Sequence, residues 1–377
     1  MRSRLVPERV RSDLDVLSRA GLDLDEFLVE ATDAVRRAVP AVAACVGTHD
    51  PATMMLTSAR KYGSLVSANE HDRLFGLIEY GTEDATSFRS LAVSDRRAIG
   101  MHAVLGDDID RCERMSRLMR PLYGFADEAR LVFRDASGAW GCLALFRGTD
   151  DPAFADDEVD YLASLSGAFA RGVRAGVLTR LADAPELGAE TAGPAVVIVD
   201  ANDEVSQISL GAEERFAQLR SSVHSGDPLS LVISLVSAAR RMLGTPGAAM
   251  PRARVRTPSG VWLVLHASPL AGRDGAVGDV VVTIEEARPP EIVTLVVAAF
   301  GLTPREHDVT RFVLQGVETK EIAAALHVSA YTVQDHLKSI FEKAGVRSRR
   351  ELIARVYFDQ YVPRMGTEVG PSGWFAG

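Results

Sequence analysis

Residues Leu302–Tyr361 read LTPREHDVTRFVLQGVETKEIAAALHVSAYTVQDHLKSIFEKAGVRSRRELIARVYFDQY, and this stretch decides the C-terminal fold. Thr303-Pro304-Arg305-Glu306 stacks three helix-start signals: a Thr N-cap, Pro at the first helical position, and Glu closing a capping box. Val309, Phe312 and Val313 give that helix its inner face, and Gly316 stops it. Thr319 is expected to cap a short helix with Ile322, Ala323 and Leu326 inward. After the turn His327-Val328, Ser329 caps a longer helix with Val333, Leu337, Ile340, Phe341 and Ala344 inside, ended by Gly345. Ser348-Arg349-Arg350-Glu351 is a second capping box, opening a last helix with Leu352, Ile353 and Val356 inside. Four helices joined by turns this short predict a compact all-α domain. The middle pair predicts a helix-turn-helix, with Ala323 and Ala324 permitting the close crossing.

The outer face of the second helix of that pair carries Thr332, Gln334, Asp335 and Lys338, groups that can donate to and accept from base edges and phosphates. Charge supports this reading locally. The whole chain of 377 residues has a formal charge of −9, so it has no global basic field. From Gly301 to Val362, however, nine Lys/Arg stand against eight Asp/Glu, which leaves −10 on the rest of the chain. Lys338, Lys343, Arg347, Arg349 and Arg350 cluster around a lone Glu342, and such a patch is what phosphate affinity needs.

Leu302 to Glu306, Lys320-Glu321-Ile322-Ala323, Ser329 to Leu337, and Gly345 to Arg349 together resemble the C-terminal DNA-binding domain of LuxR-type (GerE-like) transcriptional regulators. The resemblance covers about 60 residues, and its blocks fall at the family's separations. It implies that Gln334, Asp335 and Lys338 contact bases and phosphates, and that Thr319 and Lys320 contact the DNA backbone. Ser329, Tyr331, Thr332, Arg347 and Arg349 complete the implied DNA-binding set. Val333, His336 and Leu337 would hold the recognition helix in place. Two positions depart from the family. Gln334 stands where a basic residue is common, which implies either an altered sequence preference or a weaker phosphate contact. His327 stands where Gly is frequent, so mild backbone strain is expected there. The implied partners are double-stranded operator DNA, a second copy of the chain, and RNA polymerase.

Upstream, Phe27, Leu28, Ala31, Ala34, Val35 and Ala38 recur at helical spacing until Pro40, and Val42 to Val46 reads as a strand. The next 80 or so residues show no clear period. Arg130–Phe133, the turn Asp135-Ala136-Ser137-Gly138 and Trp140–Arg147 predict a hairpin, and a helix with Asp156, Asp157 and Glu158 at its start follows. Ala182–Gly193 lacks any period and reads as a linker. Ala195–Val199, the turn Asp200–Asp203, Val205–Ile208 and a helix with Phe216 and Leu219 inward open a second block. Arg252–Arg256, a Pro258-Ser259-Gly260 turn, Trp262–His266 and Val280–Ile284 close it with three strands. The first block is similar to a GAF domain at its end, and the second to a PAS domain.

The expected fold class is therefore α+β multidomain, with GAF-like and PAS-like sensor domains before an all-α, four-helix LuxR-type helix-turn-helix domain. The expected boundaries are 1–181, a linker at 182–193, 194–288, a linker helix at 289–301, the DNA-binding domain at 302–362 and a flexible tail at 363–377. Glu291–Phe300 is apolar on nearly all sides, so it should be buried against a neighbouring domain or a second subunit. Ser-Gly-x-Trp occurs at both hairpins (Ser137–Trp140 and Ser259–Trp262), a repeat of only four residues.

Other readings of the sequence are less dramatic. With no apolar run near 18 residues, no secretory h-region and three widely spaced cysteines, the chain is expected to be cytoplasmic, without membrane spans or disulfides. Asp107-Asp108-Asp110 reads as a solvated loop or helix cap rather than a metal site, because no His lies at ligand spacing. His71, His102 and His266 could ligate haem only if a cage existed around them, and none can be assigned. Cys142, in a predicted strand beside Trp140, reads as a buried thiol rather than a redox sensor. The sequence has no nucleophile elbow, Walker loop or dinucleotide glycines, so no enzyme is expected. No cofactor is expected either. Whether the sensor blocks bind a small-molecule effector or only pair and relay stays open, as does the rival reading of a signalling scaffold whose helix-turn-helix serves association alone.

Overall fold

The computed structural model describes residues 2–179, 193–222, 227–243, 250–257, 260–271 and 277–358. The expected linker except Gly193, the Pro258-Ser259 turn and the tail from Pro363 lie outside the described residues. The chain divides into two compact units, one built from residues up to Ala287 and one from Arg288 onward.

In the first unit, α1 (Arg2–Leu17) and α2 (Leu24–Ala38) lead into β1 (Ala43–His49) and β2 (Leu56–Gly63). The Asp23 carboxylate caps α2 by accepting the Glu26 N–H at 2.8 Å. Next come α3 (Asp72–Gly81), α4 (Phe88–Val93), β3 (Ala98–Gly100), α5 (Met101–Leu105) and α6 (Arg120–Tyr123). The hairpin β4 (Phe125–Asp135) and β5 (Gly138–Gly148) and the long α7 (Asp156–Leu178) finish this block. The sheet runs β2-β1-β5-β4-β3. α1, α2 and α7 cover one of its faces, where Phe133 of β4 stacks on Phe169 of α7 at 4.2 Å and Phe27 of α2 meets the same ring edge-on.

β4 starts five residues earlier than expected, at Phe125, because polar side chains are buried along it. Asp127 accepts the His102 N–H at 3.0 Å and the Phe154 N–H at 2.8 Å. Glu128 and Arg130 belong to an ionic cluster whose members are buried except for the partly exposed Asp84. Arg114, fully buried, places Nε 2.9 Å from Glu128, Nη1 3.0 Å from Asp84 and 3.4 Å from Glu79, and Nη2 3.2 Å from the Thr86 hydroxyl. Arg130 donates to Glu79 at 2.9 Å and to the Thr86 carbonyl at 3.0 Å, and lies 3.6 Å over the Phe88 ring. Burial pushes the Asp84 carboxyl up, but Arg114 and the Thr86 hydrogen bonds outweigh it and hold that group below its usual range.

The second sheet is built from β6 (Ala195–Val199), β7 (Val205–Ile208), β8 (Arg252–Arg256), β9 (Trp262–Ala271) and β10 (Val277–Glu286), in the order β7-β6-β10-β9-β8. Numbered within its own block, that is the same 2-1-5-4-3 order as the first sheet. The two Ser-Gly-x-Trp segments are nevertheless not equivalent. Trp140 lies on the fifth strand of its sheet and Trp262 on the fourth, so the match is a coincidence of hairpin chemistry. Between β7 and β8 lie α8 (Ala212–Ser222), with Phe216 and Leu219 buried as expected, and α9 (Leu229–Met242), which the sequence pattern did not reveal. Residues Ser230–Ala239 of α9 are buried without interruption, the serines Ser234 and Ser237 returning their hydroxyls to carbonyls one turn back.

The two sheets belong to one unit because the first block supplies part of the second block's core: Met55 and Tyr80 pack into it. α9 lies along α3, and Gly76 makes their approach possible, since a Cβ there would meet the Ser234 hydroxyl at 2.4 Å and the Ser230 carbonyl at 3.2 Å. Gly76→Val should therefore cost the first unit about 1–3 kcal/mol in urea unfolding, and a neutral result would mean the two helices are not in close contact. A bidentate ion pair crosses the same seam. Asp50 accepts from Arg254 Nε at 2.7 Å and Nη2 at 2.6 Å, both side chains being buried.

The second unit begins with α10 (Pro289–Ala299) and continues through α11 (Pro304–Leu314), α12 (Thr319–Ala325), α13 (Ala330–Ala344) and α14 (Arg349–Ile353), which widens into a final turn at Ala354–Phe358. α10 packs against that turn, and Ile292, Leu295, Val296, Val297 and Phe300 are buried within the single chain, as is Val356. The burial that this apolar helix demanded is thus met without a second subunit.

Candidate functional site

Local chemistry fixes the helix-turn-helix. Thr303 and Glu306 form the reciprocal capping box at α11, the Thr303 N–H donating to the Glu306 carboxylate at 2.7 Å. Ser329 caps α13 by accepting the Thr332 N–H at 3.0 Å, Gly345 ends that helix at φ +65°, and Ser348 caps α14. The short helix differs in one respect: Glu318, not Thr319, is its N-cap, with Glu321 closing the box at 3.2 Å. Thr319 enters the first helical turn, where an acidic side chain before it suits the helix dipole. Ala323 is buried at the crossing with α13, whereas Ala324 faces out and plays no part in it. His327 sits in the left-handed region at φ +54°, the strain anticipated for a non-glycine in that turn.

α13 is held from behind by Val333, Leu337, Ile340 and Ala344, all buried, with His336 half-buried beside them. Gln334, Asp335 and Lys338 project from the opposite side, and Tyr331 is 77% exposed at the start of the same stripe. Gln334, Lys338 and Arg347 share a shallow groove with Leu337, Phe341, Glu342 and Val346. Lys320 is exposed on α12. The Ser329 and Thr332 hydroxyls are hydrogen-bonded to each other at 2.9 Å, so Ser329 is first of all a cap.

The basic patch divides into two sets. Lys343 turns inward onto Glu306 at 2.6 Å, where Ser339 also donates at 2.6 Å. Arg349 is spent on the Val317 carbonyl at 2.8 Å and the Thr319 hydroxyl at 2.9 Å, tying α14 to the start of α12. Arg347 and Arg350 remain exposed, as does Lys338. The sequence could not separate these sets, because both read simply as Lys or Arg. Glu306, the hub of the inward set, is 4% exposed; burial would raise its pKa, but hydrogen bonds from Lys343, Ser339 and Thr303 hold it down at about 2.

Residues 301–356 match the model of the family described as bacterial regulatory proteins, luxR family. The spore germination protein GerE of Bacillus subtilis is 36% identical over 55 residues, and the match covers 15% of this chain and 74% of GerE. The chain belongs to the LuxR family. An HTH-type transcriptional regulator of Mycobacterium bovis is 47% identical over 53 residues, 14% of this chain and 6% of its own length. This LuxR-family chain thus spans only a small part of the mycobacterial relatives that it matches. Among solved structures, Escherichia coli SdiA aligns over 92% of this chain and 95% of its own at 10% identity, with a TM-score of 0.29, too low to equate the folds.

The first unit contains a partly open cavity of about 90 Å3 between β1, β2, β5, α3 and α9. His49, Lys61, Asp72, Tyr80 and Cys142 are among its lining residues. His71, His102 and His266 do not line it and sit in different elements. Asp108 and Asp110 pair with Arg111 and Arg120, respectively. Cys142 is buried, as the sequence suggested, and burial raises its thiol pKa well above the ordinary value. Among the described residues no helix is long and apolar enough to cross a membrane.

Proposed function

We propose that this LuxR-family protein is a bacterial transcriptional regulator that binds double-stranded operator DNA as a homodimer through α13, under the control of its N-terminal sheets. The observation that carries the reading is the exposed stripe Tyr331, Gln334, Asp335 and Lys338 on a helix whose cap and inner face are fixed by the rest of the domain. Such a helix presents side chains rigidly enough to enter a major groove, and two copies would read half-sites about one DNA turn apart. The two sheets of identical strand order are read as GAF-like (1–181) and PAS-like (194–288) sensor domains, and the cavity of the first unit supports a small-molecule effector. The DNA-binding domain is taken as 302–362.

Within that domain we assign base contact to Gln334 and Asp335, and phosphate contact to Lys338, Lys320 and Arg347. Tyr331 and Thr332 flank them. Thr319 and Arg349 act on DNA through the turn they hold, since each occupies the other's side chain. Gln334 can pair bidentately with adenine, and Asp335 can accept from a cytosine amine. Lys338→Ala should weaken operator and random DNA alike and lower the salt slope by about one unit. Gln334→Ala should cost about 1–3 kcal/mol on the operator and relax its sequence preference. Gel shifts of both variants across a salt series test the assignment. If Lys338→Ala alters specificity with the salt slope intact, the two roles are inverted, and if the native protein shifts no genomic fragment at low salt, it is a signalling scaffold instead.

A further inference from the structure

The cavity in the first unit is mostly apolar, walled by Leu56, Phe75, Phe88, Leu118, Met119 and Phe146 among others. Its polar atoms are unevenly served. The Lys61 ammonium is saturated by three acceptors: the Ala68 carbonyl at 2.6 Å, Asn69 Oδ1 at 2.9 Å and Asp72 Oδ1 at 2.5 Å. The other Asp72 oxygen, Oδ2, is buried with no hydrogen-bond partner. At the far end of β1, His49 donates one ring N–H to the Gly141 carbonyl, while its buried Nδ1 has no partner. Burial, helped by the Arg130 charge, lowers the His49 pKa to about 3, so the ring is neutral and Nδ1 is an acceptor. Along β1 the register pairs Cys45 with Lys61, the partner of Asp72, and pairs His49 with Leu56, so the lysine and histidine ends of the cavity wall are four residues apart on that strand.

Two buried acceptors with no donor are unfavourable, because burial removes water and nothing replaces its hydrogen bonds. A ligand that supplies donors recovers that cost. A carboxylate or phosphate would instead meet Asp72, Glu79 and Glu128 in the lining, with the one lysine there already saturated. Resting on the sensor reading above, we propose that the cavity binds a small, uncharged, largely aromatic molecule whose hydroxyl or amine N–H donates to His49 Nδ1 or Asp72 Oδ2. The chemistry excludes anionic effectors and ranks a donor-bearing ring above the same ring without one.

A matched trio of probes tests this on the full-length protein by calorimetry and thermal shift: 4-methylphenol, 4-methylanisole and 4-methylbenzoate. Saturable binding of 4-methylphenol is expected, at least tenfold tighter than 4-methylanisole, with no binding of 4-methylbenzoate. His49→Leu or Asp72→Asn should weaken 4-methylphenol about tenfold, and His49→Gln, which keeps an acceptor, should restore part of the loss. Failure of 4-methylphenol to bind, equal binding of 4-methylanisole, binding of 4-methylbenzoate, or indifference of both the His49→Leu and Asp72→Asn variants would each overturn the proposal. If one variant does not fold, the other carries the comparison. A gel shift with and without 4-methylphenol separates the two levels: binding that leaves operator affinity unchanged refutes the sensor reading but leaves the ligand site standing.

Discussion

Arg114→Met should destabilise the first unit by about 3–5 kcal/mol, the cost of removing one partner from a buried ionic cluster. The native cluster sets Arg114 and Arg130 against Glu79, Asp84 and Glu128, and Arg114 alone contacts all three carboxylates. Methionine fills a similar volume but leaves three carboxylates facing the single guanidinium of Arg130, which reaches Glu79 and Glu128 but not Asp84. The loss should depend on pH in a defined direction. In wild type the Arg114 charge helps hold the Asp84 carboxyl below its usual range, a stabilisation that is complete above the ordinary aspartate range and is lost as the pH falls through it. The variant lacks that contribution, so its deficit relative to wild type is full at neutral pH and shrinks only as the pH falls below the ordinary aspartate range. Adding Glu128→Gln should recover part of the loss, because the two residues are directly coupled. Urea unfolding at two pH values checks all of this, and a deficit under 1 kcal/mol at pH 7.5 would show that Arg114 is not the keystone of the cluster.

Glu306→Ala should be the most damaging single change to DNA binding that touches no DNA-facing residue. Its carboxylate accepts from Ser339, Lys343 and the Thr303 N–H, so it joins α11 to α13 and also closes the α11 capping box. Losing the set should cost about 2–4 kcal/mol. A domain of this size has a total stability of about 3–8 kcal/mol, so much of the population unfolds at 37 °C and operator affinity falls with it. The wild-type protein carries a matching pH signature. Because the folded pKa of Glu306 is near 2 and the ordinary glutamate value is 4.5, its contribution is complete above about pH 4.5 and is lost as the pH falls toward 2. Glu306→Gln should remove that acid-side slope while keeping part of the capping. If Glu306→Ala melts within a degree of wild type, the hub adds nothing to the domain.

The C-terminal unit could be read from sequence almost residue by residue, because its signals are local. Thr303, Ser329 and Ser348 cap helices, Gly345 ends one, and Val333, Leu337 and Ile340 recur at helical spacing. The single capping error, Thr319 for Glu318, arose because a glutamate is a rarer cap than a threonine. The stretch between β1 and β4 resisted reading for the opposite reason. Its core is organised around Glu79, Asp84, Arg114 and Arg130, and a buried charge leaves no hydrophobic period. α9 went unseen because Ser230–Ala239 are buried on every side, so no solvent-facing polar stripe announces the helix in the sequence. At the candidate site the exposed stripe was legible, but the division of labour among the basic residues was not. Lys343 and Arg349 look like phosphate ligands in sequence and become internal struts only once α11 and α12 are in place.

The Asp50–Arg254 pair also limits how this chain can be rewired. Sensor proteins are often treated as strings of interchangeable parts, each of which can be transplanted with its input intact. Here a cut between the two sheets would expose the mating flanks of α3 and α9 and strand a guanidinium with no counter-ion. Either half alone would be sticky and poorly soluble. The smallest piece that can be grafted onto another output is the whole assembly before Arg288. A chimera joined there should stay folded and soluble, and one joined near residue 193 should aggregate.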